Sequence, residues 1–155
     1  MDIRSGAGYP AGALSNFRRY NFVFDGVECA SMEGLLQAFK FDKPHIQVAV
    51  CQLWGKKAKF RGKKRDRAWK QVQMLWWKGK AMNRHGLEYQ IKLDLAFESL
   101  AQNPDFIKAL LATGNATLTH SLGKSNPHDT VLTEREFCSR LEKIRSRLQK
   151  KGGKK

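Results

Sequence analysis

Only one stretch of this chain reads as extended structure. Asn21-Phe22-Val23-Phe24 and Val27-Glu28-Cys29-Ala30 are short, apolar-rich runs joined by Asp25-Gly26. Asp-Gly readily adopts the positive φ angles of a two-residue hairpin turn. The other patterned segments read as helices, and most carry their own start or stop. Ser31 caps a helix from about Met32 to Phe41. Pro44 ends the connection to a second helix over His45–Leu53, and residues 55–66 are too charged and Gly-punctuated to assign. A helix follows from about Arg67 to Trp77, where Trp69, Val72 and Trp76 fall at i, i+3, i+7 as a core stripe. A loop then passes Gly79 and Gly86. Residues 87–102 repeat an apolar face through Ile91, Leu93, Leu95, Phe97 and Leu100. Asn103-Pro104-Asp105 gives an N-cap, a proline at the first helical position and an acid in the first turn; that helix stops at Thr113-Gly114. Thr133-Glu134-Arg135-Glu136 is a capping box before Phe137, Leu141, Ile144 and Leu148. One hairpin cannot bury all these faces, so helix packing must supply most of the core. The expected class is α+β, mainly helical, with one small sheet.

At 155 residues and 41% hydrophobic composition, one domain with a real core is expected. We place it at residues 1–149, with 150–155 as a basic flexible tail. No apolar run approaches the ~20 residues of a membrane span, and the first residues lack the apolar centre of a signal peptide. A soluble, cytoplasmic protein is expected. Cys29, Cys51 and Cys138 are odd in number and widely spaced, which fits a reducing compartment. His45, His85, His120 and His128 show no metal-ligand spacing, although His120 and His128 flank a turn-rich stretch and could meet in space. No metal, no cofactor and no membrane partner is expected. There is no Walker loop and no GxGxxG, so ATP hydrolysis and dinucleotide redox chemistry have no support.

The net charge of +15 is unevenly placed. Residues 54–80 carry eleven Lys/Arg against the single acid Asp66, a local +10, and residues 140–155 carry +7. The remaining segments come to 0 and −2. Such clusters attract a polyanion: nucleic acid, an anionic membrane surface or a phosphorylated ligand. Trp54, Phe60, Trp69, Trp76 and Trp77 are interleaved with the first cluster. Rings among bases suit unstacked nucleobases and phosphates, and they also suit a core lying under a solvated face. We take Lys56, Lys59, Lys63, Lys64, Arg65 and Arg67 as nucleic-acid contacts.

The helix after the hairpin carries the constellation best suited to chemistry. Glu33, Gln37 and Lys40 fall at i, i+4, i+7 on one face, and Met32, Leu36 and Phe39 on another. Glu33 lies in the first turn, where the helix dipole favours its charged form. Glu33 and Lys40 are two turns apart, roughly 10 Å along the axis. They are no simple ion pair, and a ligand could lie between them. An ordinary amphipathic helix with its polar row in water has the same pattern.

In chain order, Leu14-Ser15-Asn16-Phe17, the hairpin, Ser31–Lys40 and Gln102-Asn103-Pro104 through Leu110-Leu111-Ala112-Thr113-Gly114 resemble the NADAR (YbiA-like) family. That family starts with an SNF-type segment, continues with S-V-E-x-x-x-Q-A-x-K, and has a helix ending N-P-x-x-x-x-x-L-L-x-T-G. Here Met32 replaces the Val, while Glu33, Gln37, Ala38 and Lys40 are kept. Leu141–Arg147 is similar to the family's closing helix. The family's D-x-x-W-G segment has no Trp-Gly counterpart in residues 121–129, where Asp129 stands in for the Asp.

The resemblance implies an N-glycosidase. Some relatives remove ADP-ribose from guanine bases of DNA, reversing a toxin's modification, and others act on ribosylated riboflavin-pathway intermediates. Both break a ribose C1–N bond through an oxocarbenium-like state that a carboxylate can stabilise while positioning water. Glu33 would take that role or that of general base, and Lys40 would be a second catalytic group able to form a Schiff base with an opened ribose. Asn16 would hold ribose hydroxyls and Gln37 would orient the pair. Lys57 and Arg61 would take the pyrophosphate. Ser15, Phe17, Thr113, Gly114 and Asp129 complete the expected substrate contacts. The surplus of positive charge favours ADP-ribosylated DNA over a small metabolite, since phosphate tracking needs it. A fold-keeping, non-catalytic nucleic-acid-binding module is the remaining reading. A monomer is favoured, and a phage factor protecting viral DNA from a host toxin would fit so short a chain.

Overall fold

A computed structural model describes residues 1–152. The hairpin forms as expected, with β1 (Phe22–Phe24) antiparallel to β2 (Val27–Cys29) and Phe24 opposite Val27. Its turn residues Asp25 and Gly26 have φ of 48° and 78°, the pair of positive values that a type I′ turn needs. Phe22 and Phe24 point into the core and Val23 points out.

Helices follow. They are α1 (Met32–Ala38), α2 (Pro44–Cys51), α3 (Gly55–Lys63), α4 (Asp66–Val72), α5 (Leu87–Leu100), α6 (Pro104–Ala112) and α7 (Glu134–Gly152). The Ser31 hydroxyl accepts the Gly34 N–H at 2.9 Å and starts α1. Asn103 Oδ1 accepts the Asp105 and Phe106 N–H groups at the start of α6. Thr133 and Glu136 exchange both capping-box hydrogen bonds before α7. These three starts were legible because each is one side chain meeting an orphan N–H within the next turn.

The stretch after α4 departs from expectation. The i, i+3, i+7 pattern predicts one helix through Trp77 and a loop beyond it. Instead Gln73 takes a left-handed φ of 53°, ending α4, and a second sheet follows. It pairs β3 (Met74–Trp77) antiparallel to β4 (Lys80–Asn83) across a Lys78-Gly79 turn. Two small sheets are therefore present among the described residues. The misreading came from period: Trp69 is buried, but Val72 is exposed and Trp76 lies on a strand, half-buried. Leu75 and Trp77, two apart, are the inward pair. On α5 the inward residues are Tyr89, Leu93, Ala96, Phe97 and Leu100, whereas Ile91 and Leu95 face outward. The highly charged stretch at 55–66 is mostly α3, held by buried Ala58 and Gly62 alone. The expected flexible tail begins as helix, since α7 runs to Gly152; its residues 153–155 lie outside the described residues.

The core is centred on α1, which packs against α2, α3 and α5. Phe24, Phe39, Trp77 and Tyr89 meet edge-to-face, with centroids 5.1 to 6.2 Å apart. Each such pair adds roughly 0.5–1.5 kcal/mol beyond the burial of its area. Both sheets thus supply aromatics to one helix–aromatic core, which fixes α1 and the side chains along its polar row. Among the described residues, no helix is long and apolar enough to cross a membrane.

Candidate functional site

The polar row of α1 does not face water. Gln37 and Lys40 are buried and Glu33 is half-buried, at the floor of a cleft of about 470 Å³. The N-terminal loop, α3, α4 and the 120–132 loop form its walls. Ser15, Asn16 and Phe17 line it because the Glu33 N–H donates to the Asn16 carbonyl at 3.0 Å, which seats that loop on the start of α1.

Glu33 Oε1 accepts a hydrogen bond from Gln37 Nε2 at 2.8 Å. Burial pushes the Glu33 carboxyl above its ordinary range, against the pull of the Gln37 amide and the nearby lysines. The dipole argument for a charged Glu33 is therefore outweighed by desolvation. Gln37 has its own support. A Cβ on Gly62 would lie 1.7 Å from Gln37 Oε1, so the missing side chain in α3 is the space the amide occupies. Asn16 Oδ1 and Gln37 Oε1 are buried acceptors with no partner among the described residues.

Lys40 is paired, but not with Glu33. Its ammonium lies 2.5 Å from Asp66 Oδ1 at the start of α4. Burial pushes the ammonium below its usual range and Asp66 works against that shift. Trp69 Nε1 also donates to Asp66 Oδ1, at 3.4 Å. Arg65 Nε donates to the Lys40 carbonyl at 3.1 Å, and its guanidinium lies over Phe41 and Trp76. Arg65, expected on nucleic acid, is thus a clamp between α1 and α4.

The basic residues of α3 divide by face. Lys59 and Lys63 line the cleft, one turn apart. Lys57 and Arg61, expected at the pyrophosphate, do not; Arg61 lies 4.6 Å over the Phe41 ring. The cause is helical phase, because positions 57 and 61 are rotated away from the 59–63 row. Lys56, Lys64 and Arg67 are exposed and outside the cleft. Thr113 and Gly114 are not in the cleft either. Thr113 Oγ1 accepts from Arg145 at 2.8 Å and the Gly114 carbonyl accepts from Gln149 at 2.8 Å, so they join the end of α6 to α7. Asp129 does line the cleft.

Arg4, Asp66, Trp69, His120 and Lys124 also line the cleft, where the sequence did not place them. Asp66 carried a signal, as the only acid in the basic run; the others are local to no motif. His120 Nδ1 donates to the Ile3 carbonyl at 2.6 Å, which fixes the ring at the cleft wall. His120 does not meet His128; the His128 ring lies 4.2 Å from His85 instead. Among the described residues no cluster of three or more His, Cys, Asp or Glu is placed to hold a metal ion. The cleft thus combines the desolvated Glu33 carboxylate, the Lys40–Asp66 ion pair, unpartnered acceptors and four further cations, Arg4, Lys59, Lys63 and Lys124, with Asp129 as the other acid. That set suits an anionic ligand with hydroxyl groups.

Residues 8–146 match the bacteriophage protein GP30.3 family. The chain is 33% identical over 150 residues to an uncharacterized 17.1 kDa protein of the Gp30–rIII intergenic region of Enterobacteria phage T4. That alignment covers 96% of this chain and 98% of the phage protein. The NMR structure of the E. coli protein YbiA matches with a TM-score of 0.61 at 16% identity, covering 99% of this chain and 86% of that one. At that identity the likeness is one of fold. The chain is therefore a member of the bacteriophage protein GP30.3 family, a NADAR-like family, built on the YbiA fold.

Proposed function

We propose that this protein is an N-glycosidase that removes ADP-ribose from modified guanine bases in DNA. The observation that carries the reading is Glu33, a desolvated carboxylate at the floor of a cleft walled by Arg4, Lys59, Lys63 and Lys124. In this reading Lys59 and Lys63 hold the pyrophosphate. Asn16 Oδ1 accepts from a ribose hydroxyl, which ends its lack of a partner. Phe17 offers a flat apolar wall. Glu33 faces C1′, stabilises the positive charge that develops as the C1′–N bond breaks, and positions the water that adds to that carbon.

The Lys40 route is less well supported. A Schiff base needs a free neutral amine; burial pushes Lys40 toward that form, but its nitrogen is held by Asp66 at 2.5 Å and would have to leave that carboxylate to reach the sugar. Lys40 is better read as half of an ion pair with Asp66 that holds α1 to α4 beside the cleft. The phage relative adds context: a factor that clears ADP-ribose from DNA would protect viral DNA from a host toxin.

The test is release of ADP-ribose from ADP-ribosylated DNA, followed by mass spectrometry. Wild-type protein should release it and Glu33→Gln should not. No release at saturating protein would reject the reaction. Borohydride present during turnover decides between routes, since a trapped Lys40 adduct would replace direct water attack.

A further inference from the structure

The cleft does not account for the exposed rings on the neighbouring surface. Trp54 is 43% exposed, Phe60 60% and Tyr9 64%. Single exposed apolar residues are common on any protein. These lie among unpaired cations. The Arg19 guanidinium lies 4.5 Å over the Trp54 ring, and Lys59 lies 6.0 Å from the Phe17 ring at the cleft mouth.

These features are continuous in space. Phe17 lines the cleft, and its carbonyl accepts the N–H of Gly55, the residue after Trp54. Arg19, stacked on Trp54, also lines a groove of about 550 Å³ with Tyr9, Arg18 and Lys108. The groove floor is tied down by Tyr20 donating to the Ala13 carbonyl and Asn103 donating to the Asn21 carbonyl. Arg18, Arg19 and Lys108 have no hydrogen-bonded or ion-paired side-chain partner among the described residues. One acid, Asp105, faces these three bases.

We infer that this surface is a track for single-stranded DNA, running from the cleft mouth across Trp54 and Arg19 into the groove beside Tyr9. The inference rests on the reading of the cleft as one that receives a base carried by DNA. Cations alone would hold duplex and single strands alike through phosphates. Exposed aromatic rings discriminate, because only an unpaired strand offers a base plane to pack against them. The track holds the strand flanking the modified base, so that the base itself can enter the cleft.

The experiment is fluorescence anisotropy of the full chain with unmodified fluorescein-labelled oligothymidylate and with a hairpin duplex of equal length, each titrated with salt. Wild-type protein should bind the single strand about tenfold or more tightly than the duplex, as stacking of one or two bases provides. Trp54→Ala should weaken single-strand binding about tenfold and duplex binding little. Trp54→Phe should restore it, which separates lost stacking from a lost fold. Tyr9→Ala, at an exposed position, should give a smaller loss of the same kind. Arg18→Gln and Lys108→Gln should each lower the salt slope by about 0.7. Equal affinity for the two DNAs, or a Trp54→Ala affinity unchanged, would overturn the track. Intact single-strand binding with no ADP-ribose release rejects the reaction and keeps the track; the converse result keeps the reaction and rejects the track.

Discussion

Two residues carry opposing demands that can be measured. Gly62 sits inside α3, where Ala is favoured over Gly by about 1 kcal/mol on propensity. Its added Cβ would lie 1.7 Å from Gln37 Oε1 and 2.8 Å from Gln37 Cβ. Overpacking of that kind costs about 1–3 kcal/mol, so Gly62→Ala should lower Tm, not raise it. It should also reduce turnover, because Gln37 holds Glu33. A raised Tm with full activity would show that Gln37 can move freely. Glu33 gives the second measurement. Its folded pKa lies above its ordinary 4.5. Stability linked to it is full below 4.5 and is lost as pH rises through the folded value. Glu33→Gln should therefore gain Tm over wild type at neutral pH and little at low pH, while losing about a hundredfold or more in ADP-ribose release. For wild type the rate should climb with pH through the same raised value, because the carboxylate is the working form. A rate already at plateau at pH 4.5 would contradict that role. At this scale the sequence was informative where a residue sat in a motif. Glu33, Gln37 and Lys40 share one helix face in the sequence and line one cleft, whereas Arg4, His120 and Lys124 reach that cleft only through tertiary folding.

Among the elements, those announced by a capping side chain, a proline start, an Asp-Gly turn or a long apolar repeat were readable, and α3 and the β3–β4 pair were not. The strands β3 and β4 were missed because four residues each cannot show a period, and Trp69 ahead of β3 and Trp76 within it mimic a helical repeat. Their attachment to α7 rests on Arg84, at the end of β4. Arg84 is fully buried, donates to both Glu136 oxygens at 3.2 and 2.7 Å, and reaches the Thr130 carbonyl at 2.9 Å. Burial by itself pushes the Glu136 carboxyl up, but Arg84, the Thr133 N–H and Gln90 outweigh it and hold it below 4.5. A depressed carboxylate stabilises the fold above its unfolded pKa, and that stability is lost as pH falls through the folded value. Arg84→Met should cost about 3–5 kcal/mol at neutral pH, the range for leaving one buried partner unpaired. The deficit should shrink below pH 4.5, as Glu136 takes up a proton in the variant first. Thermal melts by circular dichroism across pH give both values. A deficit that stays constant with pH would mean packing, not charge, joins β4 to α7.

For the whole molecule, the charge map read from the sequence placed the surplus correctly along the chain but not around it. The run at 54–80 was treated as one polyanion surface. Folding divides it, since α3 turns Lys59 and Lys63 into the cleft and leaves Lys56, Lys57 and Lys64 on the outside. Arg18, Arg19 and Lys108 come from segments that are neutral or acidic overall, yet they meet in one groove. A linear sum cannot register such a meeting. The division has a kinetic consequence. Lys59→Gln with Lys63→Gln should raise KM for a small ADP-ribosylated guanosine about tenfold, the effect of losing roughly one charged hydrogen bond. Lys57→Gln with Arg61→Gln removes the same charge from the molecule but none from the cleft, so KM for that substrate should hold while affinity for DNA falls. Each pair lowers the net charge from +15 by two, so any long-range field effect is matched between them. If the two pairs raised KM equally, general attraction of anions would be the cause. If only the Lys57 and Arg61 pair did so, the pyrophosphate would lie on the outer face of α3, and the cleft would hold some other part of the substrate.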